Sequence, residues 1–192
     1  MGSFAAQRCI IDRSHELDGL ILSGSGSLDG LARTALRAPA GSNLLNAAFE
    51  PARMPFDWLS RDQAVVDAFV ADPLCFKDLQ PEALASFLSA APRLSNPVAL
   101  RKIRCDLPIY LFSGSEDPVG QQLRGVRMLI RRYRHAGLHD IAFDFYPGGR
   151  HEMLNETNRR DVQTRLLGWI SQLLEKLDSG RGHVSPVYEL QR

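Results

Sequence analysis

Two side chains in this 192-residue sequence stand where loops could bring them together for proton transfer. Asp117 lies in Ser113-Gly-Ser-Glu-Asp-Pro-Val-Gly120, directly after the apolar run Leu107-Pro-Ile-Tyr-Leu-Phe112. His151 lies in Gly148-Gly-Arg-His-Glu-Met-Leu-Asn-Glu156, after the run Ile141-Ala-Phe-Asp-Phe-Tyr146. A carboxylate that accepts the Nδ1–H of an imidazole fixes its tautomer and stabilises the imidazolium formed during turnover. An aspartate at this position could instead cap a helix starting near Gln121. The histidine on the next loop favours the catalytic reading, with Glu116 the nearest competitor for the acid role. The Gly-Gly lead-in gives His151 a tight path from strand to site, which His15, His135, His139 and His183 lack.

An acid and a histidine are two members of a triad, so a nucleophile is expected upstream. No Gly-x-Ser-x-Gly motif occurs anywhere in the chain. Ser23, Ser25 and Ser27 follow a strand-like run, yet none has glycines at both −2 and +2. Ser3 falls inside a first helical turn, where its side chain would point elsewhere. Gly24, Gly26 and Gly30 resemble a dinucleotide loop but miss that fingerprint's spacing by one residue.

The elements that must hold these loops read as alternating strands and helices at both ends of the chain. Residues 4–12 predict a helix, Leu17 to Leu22 a short strand, and Leu107 to Phe112 an interior strand, apolar throughout. Gln121 to Ala136 predicts a helix stopped by Gly137. Ile141 to Tyr146 alternates as a half-exposed strand near a sheet edge, and Glu156 to Leu177 predicts a long amphipathic helix. Between them the texture changes. Residues 28–100 lack strand signals, are punctuated by prolines, and carry Phe49, Phe56, Trp58, Phe69, Phe76 and Phe87. Short helices broken by proline suit an inserted cap rather than a sheet layer, and the aromatics would suit an acyl-chain pocket or the cap's own core.

The composition narrows the function classes. Apolar residues make up 44% and charged ones 23%, with 23 basic against 22 acidic side chains and a net charge of +1. That balance carries no electrostatic footprint for nucleic acid and no polybasic membrane patch. The cluster Arg127, Arg131, Arg132 and Arg134 reads as the solvated face of a helix. Cys9, Cys75 and Cys105 are widely spaced and odd in number, which suggests neither a zinc site nor a disulfide framework. No metal or cofactor is expected. No apolar run approaches the ~18–20 residues of a membrane span, and residues 1–11 lack the order of a secretory leader. A cytoplasmic setting is the expectation.

Over residues 1 to about 177 the chain resembles the C-terminal part of an α/β-hydrolase of the monoacylglycerol lipase, lysophospholipase and serine aminopeptidase-like group. The resemblance rests on Met1-Gly-Ser-Phe4, Asp18-Gly-Leu-Ile-Leu-Ser-Gly24, Pro55-Phe-Asp-Trp-Leu-Ser-Arg-Asp62, Asp72-Pro-Leu-Cys75 and the Asp117 and His151 motifs. Nucleophile, acid, histidine is the chain order of that fold. The resemblance implies a serine hydrolase of carboxylic esters, lysophospholipid or monoacylglycerol-like lipids among them, with Asp117 as acid and His151 as base. Met1-Gly-Ser-Phe4 is similar to the second half of the family's Gly-His-Ser-Met-Gly elbow. It implies a nucleophile immediately before Met1 and an oxyanion N–H from Met1 itself. On that reading the sequence is N-terminally truncated; the alternative is an inactive remnant or a non-catalytic interaction protein.

The fold expected is thus α/β: a partial α/β-hydrolase with the last three strands of a mostly parallel sheet, flanking helices and an inserted helical cap. Residues 1–27 would follow the elbow, 28–100 form the cap, 101–177 carry acid and histidine, and 178–192 form a disordered tail. The strand at Leu17–Leu22 would then keep one edge unpaired, a template for self-association.

Overall fold

The computed structural model describes residues 1–39, 42–75 and 81–180; Phe76 and residues 181–192 of the expected tail lie outside the described residues. Three strands, β1 (Leu20–Ser23), β2 (Ile109–Gly114) and β3 (Ile141–Tyr146), form a parallel sheet in the order β1-β2-β3. Leu20 lies opposite Ile109, and Ile109 opposite Ile141. Parallel neighbours need long crossovers. The β2–β3 crossover is a helix, α7 (Arg124–His135), and the β1–β2 crossover is the whole of residues 24–108.

That long crossover is helical and free of strands among the described residues. It contains α2 (Leu28–Arg37), α3 (Gln63–Ala71), α4 (Pro81–Ser89), α5 (Ala91–Leu94) and α6 (Pro97–Leu100). Pro92 and Pro97 sit in the first turns of α5 and α6, where a missing N–H costs nothing. The aromatics here pack on one another and on other parts of the chain. Phe87 meets Phe4 edge-on at 5.4 Å, Phe56 lies 5.1 Å from Phe69, and Phe49 lies beneath the Arg150 guanidinium at 4.2 Å.

Helices cover both faces of the sheet. Leu20, Leu22, Ile109 and Leu111 join Phe4, Ile10 and Ile11 of α1 (Gly2–Arg13) and Val126, Leu129, Ile130 and Tyr133 of α7 in one core. Tyr110, Phe112 and Tyr146 face the other way, toward Val162 and Trp169 of α8 (Arg159–Gly180), with Trp169 stacked on Tyr110 at 5.5 Å. All six residues of β2 are buried, as an apolar strand covered on two faces requires. Burial pushes the Tyr110 hydroxyl far above the ordinary phenol range, and it donates to Asp144 at 2.7 Å.

Element boundaries differ from the sequence reading for definable reasons. β1 starts at Leu20 rather than Leu17, whose carbonyl accepts from Arg104 Nη2 at 2.9 Å. β2 starts after Pro108, which has no N–H to donate, and runs on to Gly114. Helix α8 begins at Arg159 rather than Glu156, and ends at Gly180, beyond the expected Leu177. Helix α7 begins three residues late because Gln121, Gln122 and Leu123 all have positive φ, at 53°, 47° and 68°. Each such residue costs roughly 1–2 kcal/mol. Two local bonds and one tertiary bond hold the turn: Gln122 N–H donates to the Asp117 carbonyl, Gly125 N–H to the Gly120 carbonyl, and Gln121 Nε2 to Thr34 Oγ1. The strain thus sits beside Asp117. No helix among the described residues is long and apolar enough to cross a membrane.

Candidate active site

The loops leaving the carboxyl ends of β2 and β3 lie side by side because their strands are adjacent and parallel, the usual site of chemistry in open α/β sheets. They are laced together: Ser115 N–H donates to Tyr146 O, Glu116 N–H to Gly149 O, and Gly148 N–H to Ser115 Oγ. This lacing brings Asp117 and His151 into contact, with His151 Nδ1 3.0 Å from Asp117 Oδ1. A carboxylate can only accept, so the imidazole proton sits on Nδ1 and leaves Nε2 as the acceptor. Asp117 is fully buried, and the same Oδ1 accepts from Val119 N–H at 2.9 Å. Its Oδ2 is buried and bonds nothing among the described residues. Among those residues the imidazole is therefore the one side chain that meets this charge.

A short β1 loop supplies the floor beneath the ring. Gly24 has φ of +55°, and a Cβ there would lie 2.6 Å from His151 Cε1, so no other residue fits. Gln7 of α1 holds the loop, its Nε2 donating to Ser25 Oγ at 2.8 Å and Gly26 O at 3.0 Å. The Trp58 ring lies 5.0 Å from the imidazole.

Among the described residues, no side chain of the other candidates bonds the pair. Glu116 is exposed, and Asp117 does not cap α7, which starts seven residues later. Ser3 is within α1, Ser25 is engaged by Gln7, and Ser27 is buried; among the described residues no serine hydroxyl bonds His151. Met1 is 65% exposed at the start of α1, its carbonyl accepting from Phe4 N–H. His15, His135 and His139 lie on the surface, and His183 lies outside the described residues. No group of three or more metal-binding side chains occurs among the described residues. A cavity of about 680 Å³ between α2 and the start of α7, lined by Thr34, Leu44, Gln121 and Met128 among others, includes neither Asp117 nor His151.

Sequence reasoning gave no role beside the histidine to Gln7, Gly24, Trp58, Arg61 or Glu156, although the last three lie in motifs that carry the resemblance. Glu156 is fully buried at the root of the histidine loop. Burial alone would raise its pKa, but N–H donors from Thr157, Arg150 and Arg61, with the Arg61 guanidinium, outweigh it and hold the carboxyl below its ordinary value.

Three parallel strands in an open sheet flanked by helices, with an acid and a histidine on neighbouring loops at the strands' carboxyl ends, make this a partial α/β-hydrolase. The family model described as serine aminopeptidase, S33, matches residues 1–158, and the chain belongs to that family. It is 26% identical over 157 residues to a monoacylglycerol lipase of Mycolicibacterium smegmatis, covering 81% of this chain and 54% of that protein. Among solved structures it is similar to a thermostable carboxyl esterase from Bacillus coagulans in complex with glycerol. That match has a TM-score of 0.75 and 26% identity, over 89% of this chain and 62% of the esterase. The fold also matches the monoacylglycerol lipase of Paleococcus ferrophilus, with a TM-score of 0.65 at 16% identity, over 89% of this chain and 65% of that one. The chain thus spans between half and two thirds of the length of these relatives.

Proposed function

We propose that this chain is the acid-and-histidine portion of a serine hydrolase of carboxylic esters, with monoacylglycerol- or lysophospholipid-like lipids as its substrate class. The observation that carries the proposal is the Asp117–His151 contact at 3.0 Å, with Nε2 left as an acceptor. Similarity to a carboxyl esterase and to a monoacylglycerol lipase supports the substrate class. In the proposed mechanism a serine immediately preceding Met1 attacks the ester carbonyl while His151 Nε2 takes its proton. Asp117 stabilises the imidazolium so formed, and the Met1 N–H donates to the oxyanion. Protonated His151 then returns the proton to the leaving alcohol, and a water repeats the sequence to release the acid. The proposed cap is residues 28–100, which bring Trp58 to the imidazole. Ester turnover that requires both Asp117 and His151, in a form of the chain carrying that serine, tests the proposal. Turnover indifferent to both would refute it.

Two further elements belong to the same reading. Exposed thiols at Cys9 and Cys105 suit a reducing, cytoplasmic setting. Self-association is proposed through β1, which pairs only with β2 among the described residues and carries Ile21 at 38% exposure. Sedimentation of the 192-residue chain is expected to give dimers or larger species. A monodisperse monomer across micromolar concentrations would remove this element.

A further inference from the structure

Glu156 gathers five hydrogen bonds where two distant segments meet. Its Oε1 accepts from Arg61 N–H and Arg150 N–H, both at 3.0 Å. Its Oε2 accepts from Arg61 Nε and Thr157 N–H at 2.9 Å, and from the Thr157 hydroxyl at 3.3 Å. Around this carboxylate residues 57–62 and 150–156 are joined by two backbone bonds and one from a side chain. His151 N–H donates to Trp58 O at 3.3 Å, Glu152 N–H to Leu59 O at 2.8 Å, and Ser60 Oγ–H to Asn155 O at 3.1 Å. The Arg150 guanidinium donates to the carbonyls of Asp57 and Ser60. Two rungs therefore bind the backbone of His151 and of the residue after it, Glu152, to the segment that also places Trp58 against the imidazole, and Arg150 N–H reaches that segment through Glu156.

A buried carboxylate is costly to desolvate, and replacing a buried ion pair by apolar side chains of similar volume is often neutral or stabilising. Loop attachment alone does not call for a charge here. A group that meets Arg61 N–H and Arg150 N–H at one oxygen and Arg61 Nε and Thr157 N–H at the other does call for a carboxylate, which offers only acceptors. We propose that Glu156 is a positioning residue for His151: it fastens residues 57–62 to the histidine loop and thereby sets the imidazole's distance from Asp117. The inference rests on the reading of His151 as the proton carrier. A glutamine cannot replace it, because its amide nitrogen would face N–H donors in either orientation. Displacements of about 1 Å in such sites cost about 100-fold in rate.

The test is hydrogen exchange of the His151 Nδ1–H, followed by ¹H–¹⁵N NMR on the 192-residue chain and assigned by its loss in His151→Ala. Glu156→Gln is expected to speed exchange at least tenfold, well below its melting temperature. Arg61→Ala removes the guanidinium bond but keeps the backbone one, and is expected to speed it a few-fold. Leu138→Ala, which opens a cavity in the core beyond the end of α7, provides a destabilised control whose Nδ1–H signal is expected to persist. Exchange unchanged within twofold in Glu156→Gln overturns the proposal. Should that variant fail to fold, unchanged exchange in Arg61→Ala overturns it instead. If the unaltered chain gives no protected Nδ1–H signal, the Asp117–His151 pairing itself fails and this inference falls with it.

Discussion

In a form of the chain carrying the proposed serine, Asp117→Asn is expected to lower ester turnover about 10,000-fold, and His151→Ala about a million-fold. The aspartate variant isolates one effect. The asparagine side chain can turn its amide NH₂ toward Nδ1, which favours the tautomer with the proton on Nε2. That tautomer cannot accept the serine proton, and the imidazolium loses its counter-charge. Ten-thousand-fold corresponds to about 5.4 kcal/mol of transition-state stabilisation, at about 1.36 kcal/mol per tenfold. Burial of Asp117 makes the loss large, since water cannot stand in for the carboxylate. Glu116→Gln serves as the contrast: the side chain is exposed, and turnover should stay within about twofold of the unaltered protein. Near-full activity in Asp117→Asn together with a collapse in Glu116→Gln would transfer the acid role to Glu116. Initial rates on short p-nitrophenyl esters decide between them.

Gly114→Ala is expected to be the most damaging alanine substitution among the described glycines. A Cβ at Gly114 would lie 2.0 Å from Gly149 O, 2.1 Å from Gly149 C and 2.4 Å from Arg150 O. All three are backbone atoms, so no side chain can swing aside. Retreat of the Gly149–Arg150 backbone would break the bond from Glu116 N–H to Gly149 O and that from Arg150 N–H to Glu156. Overpacking of this kind typically costs about 1–3 kcal/mol, and the involvement of backbone places this case at the upper end. For a chain of this length about 3 kcal/mol lowers the melting temperature by roughly 6–12 °C. The same shift would draw His151, two residues beyond Gly149, away from Asp117. A melting temperature within about 1 °C of the unaltered chain would mean the two loops do not approach as described.

The legible and illegible parts of the molecule divide along a physical line. β3 keeps its expected bounds at the sheet edge, although its burial does not alternate, since Phe143 is exposed and Tyr146 buried; β2 is interior, as an unbroken apolar run requires. Asp117 and His151 were legible because each follows a strand within a few residues, so local sequence alone places it at the strand's end. Glu156 was not. A glutamate just before a helix reads as a solvated first-turn acid, and its burial is decided by Arg61, 95 residues earlier in the chain. Gly24 and Gln7 escaped for the same reason, since nothing near either residue announces the imidazole or the loop it must hold. The late start of α7 is a further case. Gln121, Gln122 and Leu123 carry no glycine to signal a left-handed turn, and only bonds to Asp117 O, Gly120 O and Thr34 impose it.

The most direct test of the proposed function is mapping the adduct of an aryl phosphonate, which traps an activated serine as a stable ester. On the 192-residue chain no His151-dependent adduct is expected on Ser3, Ser23, Ser25 or Ser27, because none bonds the imidazole. On a form extended upstream, one adduct is expected on the serine immediately before Met1, and it should vanish in His151→Ala. A stoichiometric, His151-dependent adduct on any serine of the 192-residue chain would contradict the account and place the whole triad within these residues.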